Sequence, residues 1–262
     1  SMRRHRISCF VITYNEADRI ERCLKPLATW VDQLVVLDSG STDGTADLAR
    51  QFTPNVHVTD WPGFGKQRNR ALALCEHEWV LNVDADEEVT DALKDEIDTL
   101  LSSNAVDFTL VKIPWRTVLF GGELTRGRYS SPQGKLFLKA GAAFKDRPIH
   151  ETLLLPQEKP VITRQGLLHY SWRSFYHLQE KHLMYAQLMA QQKFQQGKRS
   201  SVGYAVLRLF VDFFQQYFLR LGVLDGWRGL VMAIVLGVYG FNKYAALAVL
   251  TKEHQSMSAG RD

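Results

Sequence analysis

The feature that most constrains this chain is a series of short apolar runs, each closed by polar or acidic residues and followed by a helical pattern. Four runs rich in β-branched and aromatic residues are ISCFVITY (7–14), QLVVLD (33–38), VHVTDW (56–61) and WVLNVD (79–84). Between the first two runs, apolar residues recur at helical spacing at Ile20, Cys23, Leu24 and Leu27. Continuous apolar strands that alternate with helices predict an α/β, Rossmann-like fold with a mostly parallel sheet.

The polar ends of these strands indicate where a ligand binds. In such sheets ligands lie at the carboxyl ends of the strands, which brings TYNE (13–16), DSGSTD (38–43) and DAD (84–86) to one rim. Carboxylates gathered there repel each other unless a cation or a donor-rich ligand is present, and Asp84 and Asp86 suit a hard divalent cation. We expect Glu87 and Glu88 instead to open the helix that follows, over 90–101, because acids complement a helix N-terminus, with Glu87 also a candidate to line the site.

Composition and cysteine content define the broad class. The chain has 262 residues, of which 45% are hydrophobic, enough for one α/β domain and an appendage. The three cysteines form neither a CxxC pattern nor a disulfide framework, which favours a reducing, cytoplasmic setting. We expect no secretory signal at the start of the chain.

The C-terminal third differs from the rest in charge and pattern. Residues 173–262 hold 11 Lys and Arg against 5 Asp and Glu, whereas residues 1–172 hold 21 against 23. Shorter β-like pieces over 106–172 predict a mixed continuation of the sheet, and the chain turns helical from Ser174, with an amphipathic segment over 202–224. We therefore predict a catalytic domain at 1–172 and a helical amphipathic extension at 173–262, for membrane association or oligomerisation.

The apolar run Gly229–Phe241 is thirteen residues long, whereas a membrane-spanning helix needs about 20. It would reach that length only if Asn242 and Lys243 were tolerated and the run continued to Leu250. We favour helices that lie on an anionic membrane surface. The alternative is a helical pair packed on the catalytic domain or across a homo-oligomer interface.

Four motifs in this order resemble family 2 glycosyltransferases of the GT-A fold: VITYNE, LDSGSTDGT, GKQRNRAL and NVDADEE. The later DRPIHE and LLHYSW are similar to bacterial lipopolysaccharide core β-1,4-glucosyltransferases that act on heptose. The resemblance implies a nucleotide-sugar donor, and it implies that uridine and ribose are held by Thr13, Tyr14, Glu16 and Asp38. It also implies that the donor diphosphate is contacted by Lys66, Arg68 and Asp84.

The same resemblance assigns the metal and the catalytic base. Asp84 and Asp86 match the family's DxD motif, which holds Mg²⁺ or Mn²⁺, with Asp86 as the expected direct ligand and His169 as a further one. For the base we expect Glu151, with Asp146 in reserve, although no Glu-Asp or Asp-Asp pair occurs between residues 106 and 172. His150 would orient the base or contact the acceptor.

These expectations combine into one functional hypothesis with alternatives. The chain would be an inverting, metal-dependent enzyme that moves glucose from UDP-glucose to a membrane glycolipid, the inner-core heptose of lipopolysaccharide. It would lie on the cytoplasmic, inner face of the plasma membrane. Another cell-surface polysaccharide or a lipid phosphate could be the acceptor, and a sugar nucleotidyltransferase is a further alternative.

Other classes fit the residues less well. A nucleotidyltransferase would open with a Gly-rich phosphate loop, and TYNEADRIERC has no Gly. GFGKQR lacks the first Gly and the Ser or Thr of a P-loop. A phosphoacceptor receiver domain would not explain the C-terminal third, and the acidic crevice argues against nucleic-acid binding.

Overall fold

The computed structural model describes residues 3–146 and 151–260. The chain divides into two compact units, which we call the sheet unit (Ser1–Arg116 with Ser131–His169) and the helical unit (Thr117–Ser130 with Tyr170–Asp262). The functional division at residue 172 stays a prediction.

The strands and helices alternate along the first part of the chain and give way to strands and then to helices. In chain order they are β1 Ile7–Thr13, α1 Ile20–Ala28, β2 Gln33–Asp38, α2 Thr45–Arg50, β3 Val56–Val58, α3 Phe64–Leu74, β4 Trp79–Asn82, β5 Glu87–Glu88, α4 Asp91–Leu100, β6 Leu110–Leu119, β7 Gly122–Leu124, β8 Pro132–Leu138, β9 Ala143–Lys145, β10 Thr152–Leu154, β11 Pro160–Ile162, β12 Leu167–His169, α5 Phe175–Gln195, α6 Val202–Phe214 and α7 Gly226–Ala259.

The sheet is parallel in its first half and mixed in its second. Strands β3, β2, β1 and β4 lie side by side and parallel, as continuous apolar runs linked by helices predict. Strand β8 then lies antiparallel between β4 and β6, while β11 pairs parallel with β6. The α/β fold class is confirmed, and the mixed second half brings side chains from β8 next to the end of β4.

The core of the sheet unit lies on both faces of β1, β2 and β4. One cluster joins alternate residues of these strands to the inner faces of α1 and α4, and it includes the fully buried Trp79. The other joins Phe10 and Val80 to α3 and Phe144. The three cysteines are buried and free, in agreement with the absence of a disulfide framework.

Glu87 and Glu88 do not open a helix, and this expectation was wrong. They form β5, which pairs antiparallel with Leu168 and His169 of β12. Helix α4 begins later, where the Thr90 side chain accepts a hydrogen bond from the backbone N–H of Leu93, so a neutral cap serves the helix start. Glu87 instead joins the strand-end cluster, where its carboxylate pairs with Lys135.

The helical unit contains α5, α6 and α7 with the β7 hairpin, in which Thr117–Leu119 of β6 pairs with Gly122–Leu124. Small residues of α7 let α6 come close: a Cβ at Gly237 would overlap the Leu209 carbonyl, and one at Gly240 the Asp212 carboxylate. The predicted segment 202–224 is not one helix. After α6 it continues as a π-helical turn, Gln215–Leu219, and a 3₁₀ turn, Gly222–Asp225.

Within the described chain, the stretch Gly222–Ala259 is long and apolar enough to cross a membrane by length and composition. It extends well beyond the thirteen-residue apolar run because the helix continues through Asn242 and Lys243. A core helix of a soluble protein meets the same criterion.

Candidate active site

The ends of β1 and β2 are tied together by the Asp38 carboxylate. Oδ1 accepts hydrogen bonds from Thr13 Oγ1 at 2.7 Å and Ser41 Oγ at 2.6 Å, while Oδ2 accepts from the backbone N–H groups of Gly40 and Ser41. Thr13 and Asp38 are both buried. Asp38 therefore shapes the loop after β2, and its contact with a ribose stays a prediction.

The residues after β1 form the outer part of this rim. Tyr14 is 56% exposed, so its ring is open to a stacking partner. Asn15 has a positive φ of 52° and its side-chain oxygen accepts from the backbone N–H of Thr42, which locks the two loops together. Glu16 pairs with Arg19 at 2.6 Å. The roles of Tyr14 and Glu16 in donor binding stay predictions.

Arg68 is the central cation of the site. It projects from α3 and is buried, with Nε donating to Glu151 Oε1 at 2.6 Å and Nη1 to Asn82 Oδ1 at 2.8 Å. Its Nη1 also lies 3.0 Å from Asp84 Oδ1. Burial lowers the pKa of Arg68, but Asp84 and Glu151 outweigh burial and raise it, so the guanidinium stays charged. Lys66, two residues earlier, is exposed.

Asp84 lies between two protein cations. Lys135 Nζ of β8 is 3.4 Å from Oδ2, and Arg68 approaches Oδ1. Burial raises the pKa of Asp84, yet Arg68 and Lys135 together hold it well below its usual range. Oδ1 is buried beside Arg68 Nη1 and Oδ2 faces Lys135 Nζ, so each oxygen of this carboxylate lies against a protein cation.

Glu87 lies beneath this pair and organises it. Its Oε1 accepts from Lys135 Nζ and from the backbone N–H of Asp84, both at 2.7 Å, and Oε2 accepts from Trp115 Nε1 at 2.7 Å. Its side chain is fully buried, and burial raises its pKa although Lys135 opposes this. The Trp115 indole thus holds the Glu87 carboxylate in place.

Asp86 and His169 form the other half of the rim. His169 Nε2 lies 3.2 Å from Asp86 Oδ2, and the imidazole stacks on the Trp115 ring at 4.3 Å between centroids. No group of three or more His, Cys, Asp or Glu side chains that could hold a metal occurs among the residues the structure describes. Two converging donors nevertheless fit Mg²⁺ or Mn²⁺, because such ions take several ligands from substrate phosphates and water.

A cavity of about 470 Å³ lies in the sheet unit, and the residues that line it include Arg68, Asp84, Lys135, Glu151 and Glu158. Asp86 and His169 lie outside this lining. Asp146 lies apart from this lining and accepts from the backbone N–H of Gly65 at 2.7 Å, at the start of α3. His150 lies outside the described residues.

The sequence matches the model of "Glycosyl transferase family 2" over residues 8–148, which includes β1 to β4 and the acids of the rim. The chain belongs to glycosyl transferase family 2. This glycosyltransferase is 30% identical over 256 residues to an uncharacterized glycosyltransferase of Rickettsia felis, an alignment that covers 94% of this chain and 89% of the relative.

A second relative carries a more specific description. The lipopolysaccharide core biosynthesis glycosyltransferase LpsC of Rhizobium meliloti is 29% identical over 252 residues, covering 90% of this chain and 89% of LpsC. Among solved structures, glucosyl-3-phosphoglycerate synthase from Mycobacterium tuberculosis, in complex with Mg²⁺ and UDP, is 30% identical. That match covers 43% of this chain and 44% of the synthase, with a TM-score of 0.36.

The structure also identifies site residues of the glycosyltransferase that sequence reasoning did not single out. Lys135 and Asn82 contact the acids and Arg68 directly. A signal for Lys135 was present, since a lysine flanked by apolar residues in a central strand is almost never buried unless paired. Nothing in the sequence indicated a role for Asn82, because Asn is common wherever a strand passes into a loop.

Proposed function

We propose that this glycosyltransferase is an inverting, metal-dependent enzyme that moves glucose from UDP-glucose to a membrane glycolipid, the inner-core heptose of lipopolysaccharide. The observation that carries the chemistry is the juxtaposition of Asp84, Asp86 and His169 with Arg68 and Glu151 at one strand-end rim. The similarity to LpsC over nearly the whole chain supports the acceptor class.

The proposed metal would be held by Asp86 and His169, with Asp84 as a further ligand. When bound, Mg²⁺ or Mn²⁺ stabilises the negative charge of the departing nucleoside diphosphate as a Lewis acid. Arg68 acts on the same charge, because a buried guanidinium is a strong partner for phosphate oxygens. Lys66 is the exposed cation at the beginning of α3 and would meet the diphosphate from the solvent side.

The transfer also needs a group that takes the acceptor proton. Glu151 lines the cavity, and we assign it as the base: it accepts the hydroxyl proton while the acceptor oxygen bonds to the anomeric carbon and the bond to the diphosphate breaks. Arg68 pairs with Glu151 at 2.6 Å. A donor diphosphate would compete for Arg68 and so release the Glu151 carboxylate to face the acceptor hydroxyl.

The cellular setting follows from the C-terminal third. Its surplus of cations, 11 against 5 acids, and its apolar helices support a peripheral position on the anionic, cytoplasmic face of the plasma membrane. There the enzyme would meet a glycolipid acceptor while its donor stays in the cytoplasm. A homo-oligomer through these helices is the alternative use of the same surface.

The test is a donor panel with the purified full-length chain. UDP-glucose, UDP-galactose, UDP-N-acetylglucosamine and GDP-mannose are incubated with heptose-terminated lipopolysaccharide, with Mg²⁺, Mn²⁺ or EDTA, and diphosphate release and the new linkage are measured. We expect turnover of UDP-glucose only when Mg²⁺ or Mn²⁺ is present. Asp86→Asn should lower the rate at least about 100-fold, because a bound metal contributes several kcal/mol of transition-state stabilisation.

The matched control is Asp91→Asn, at an exposed acid of α4 near the site. It should keep the parent rate because it carries the same change of charge outside the rim. Equal turnover in EDTA, or an Asp86→Asn variant as active as Asp91→Asn, would refute the metal mechanism. Preference for another donor would refute only the assignment of glucose.

A further inference from the structure

Helix α6 has its polar side chains on the inside and its apolar side chains on the outside. Every exposed residue of this helix is apolar, glycine or tyrosine: Val202, Gly203, Tyr204, Val206, Leu207, Phe210, Val211 and Phe214. Phe210, for example, is 61% exposed. We call these residues the outer face of α6. A surface of this kind is typical of contact with a membrane or another protein.

The charged residues of α6 are turned toward α7. Arg208 pairs with Asp212 at 3.0 Å, and its Nη1 donates to the Tyr244 hydroxyl at 3.2 Å. Gly240 of α7 provides the space for Asp212, since a Cβ there would overlap the carboxylate. The inner polar network is thus satisfied within the helical unit, and the outer face is left without any charged side chain.

A basic cavity of about 780 Å³ lies at the beginning of α6. Its lining contains three cations, Lys193, Lys198 and Arg199, and no carboxylate among the residues described there. The other lining residues are Ser200, Ser201, Tyr204, Tyr244, Leu247, Thr251 and Gln255. The hydroxyls of Ser200 and Thr251 in the lining donate to the carbonyls of Ser201 and Leu247, while the Ser201 hydroxyl accepts from the backbone N–H of Tyr204 and can still donate. Three cations beside such a hydroxyl suit a phosphate group.

The cations differ in how firmly they are held. Arg199 lies over the Phe194 ring at 4.0 Å and donates through Nη1 to the carbonyls of Phe194 and Lys198, so it ties the turn between α5 and α6. Lys193 Nζ lies 5.7 Å from the centroid of the Tyr244 ring, and Lys198 is exposed. The two lysines can therefore be changed without removing the bonds that shape the turn.

We propose that this cavity binds the phosphate headgroup of an anionic membrane lipid while the outer face of α6 enters the lipid interface. Tyr204 belongs both to the cavity lining and to the outer face, which makes the cationic and apolar surfaces continuous. A phospholipid matches this arrangement, because its phosphate can bind the cations while the adjoining acyl chains contact the apolar face. A free phosphate would leave the apolar face unexplained, and a second copy of this unit would bring a second surplus of cations.

This inference rests on the proposed membrane association and not on the transfer reaction. The test measures sedimentation of the full-length protein with vesicles of phosphatidylcholine alone, with added phosphatidylglycerol, or with added oleate at matched surface charge. We expect binding to the phosphatidylglycerol vesicles to exceed binding to the oleate vesicles, because only the former carry a phosphate whose charge is not balanced by a choline cation in the same headgroup. Lys193→Gln/Lys198→Gln should lower the partition onto phosphatidylglycerol vesicles about ten-fold.

The control is Arg220→Gln/Lys252→Gln, which removes two exposed cations of the same unit that do not line the cavity. It should lose less than about three-fold, and circular dichroism melting checks that both double variants fold. Equal losses in the two double variants, or equal binding to oleate, would show that surface charge alone acts and would overturn the site. Binding of inorganic phosphate without binding of vesicles would overturn the lipid assignment.

The experiments distinguish a failure of the lipid site from a failure of the proposed transfer reaction. A parent protein that releases UDP from UDP-glucose but does not bind anionic vesicles contradicts the lipid site and the membrane position, and leaves the transfer reaction standing. A parent protein that binds phosphatidylglycerol vesicles through the two lysines but uses no nucleotide sugar contradicts the transfer reaction alone.

Discussion

Replacing Lys135 by methionine probes the buried charge network under the active-site rim. Methionine has a similar length and can fill the space, so the change removes the charge with little change in packing. Glu87, whose side chain is fully buried 2.7 Å from Lys135 Nζ, then loses its counter-ion. Breaking a buried pair by removing one partner costs about 3–5 kcal/mol of unfolding free energy, and we expect a loss in this range at pH 8.

The loss should depend on pH in a direction set by Glu87. Burial already raises the pKa of Glu87 and Lys135 opposes this rise, so the variant has a still higher pKa in the folded state. Because its pKa is raised in the folded state, Glu87 contributes stability when the pH is below its pKa in the unfolded chain, about 4.3 for Glu. This contribution is lost as the pH rises through the pKa that Glu87 has in the folded state. The variant should therefore be closest to the parent near pH 5 and furthest from it at pH 8.

Urea unfolding at the two pH values measures both effects. Lys145→Met removes an exposed lysine of β9 and should change the unfolding free energy by no more than about 0.5 kcal/mol. Lys135→Met/Glu87→Gln should recover part of the loss because no unpaired buried charge remains. A Lys135→Met variant that loses less than about 1 kcal/mol at pH 8, or loses equally at pH 5, would refute the reasoning.

Three further predictions follow from single contacts. Glu151→Gln should lower kcat by about 100-fold or more with little change in KM, whereas Glu158→Gln, which lines the same cavity, should retain activity; similar rates would remove Glu151 as base. Gly240→Ala places a methyl against the Asp212 carboxylate and should cost about 1–3 kcal/mol, while Gly203→Ala, on the open side of α6, should stabilise by about 0.5 kcal/mol in thermal melts. Burial raises the pKa of Cys75 to about 12, so iodoacetamide at pH 8 should leave it unmodified in the native protein and alkylate it in urea.

The alternation of strands and helices was predictable in the first ninety residues because β1, β2 and β4 are buried on both faces, whereas the short edge strand β3 is largely exposed. A strand buried on both faces must be a continuous apolar run, and the parallel order then fixes which ends meet. Thr13, Asp38 and Asp84 accordingly lie at the ends of β1, β2 and β4. The β-like pattern over 106–172 predicted strands there, but the same rule could not predict that β8 lies between β4 and β6, because an antiparallel strand is positioned by long-range pairing.

The errors at the site have the same origin. Glu87 and Glu88 were expected at a helix start because local charge suits it, but pairing with β12 and burial against Lys135 outweigh a helix-dipole term of about 0.3–1 kcal/mol. For α6 the sequence pattern correctly indicated an amphipathic helix. The pattern alone could not show that Arg208 and Asp212 face α7.

The charge count at the rim gives an independent reason to expect a divalent cation. When all are ionised, the carboxylates exceed the protein cations by two: Asp84, Asp86, Glu87 and Glu151 stand against Arg68 and Lys135. A diphosphate that approached this surplus alone would be repelled. Lys135 balances Glu87 and Arg68 balances Glu151, so the two unbalanced charges are those of Asp84 and Asp86. A divalent cation held there would cancel the surplus and allow the site to bind the donor diphosphate.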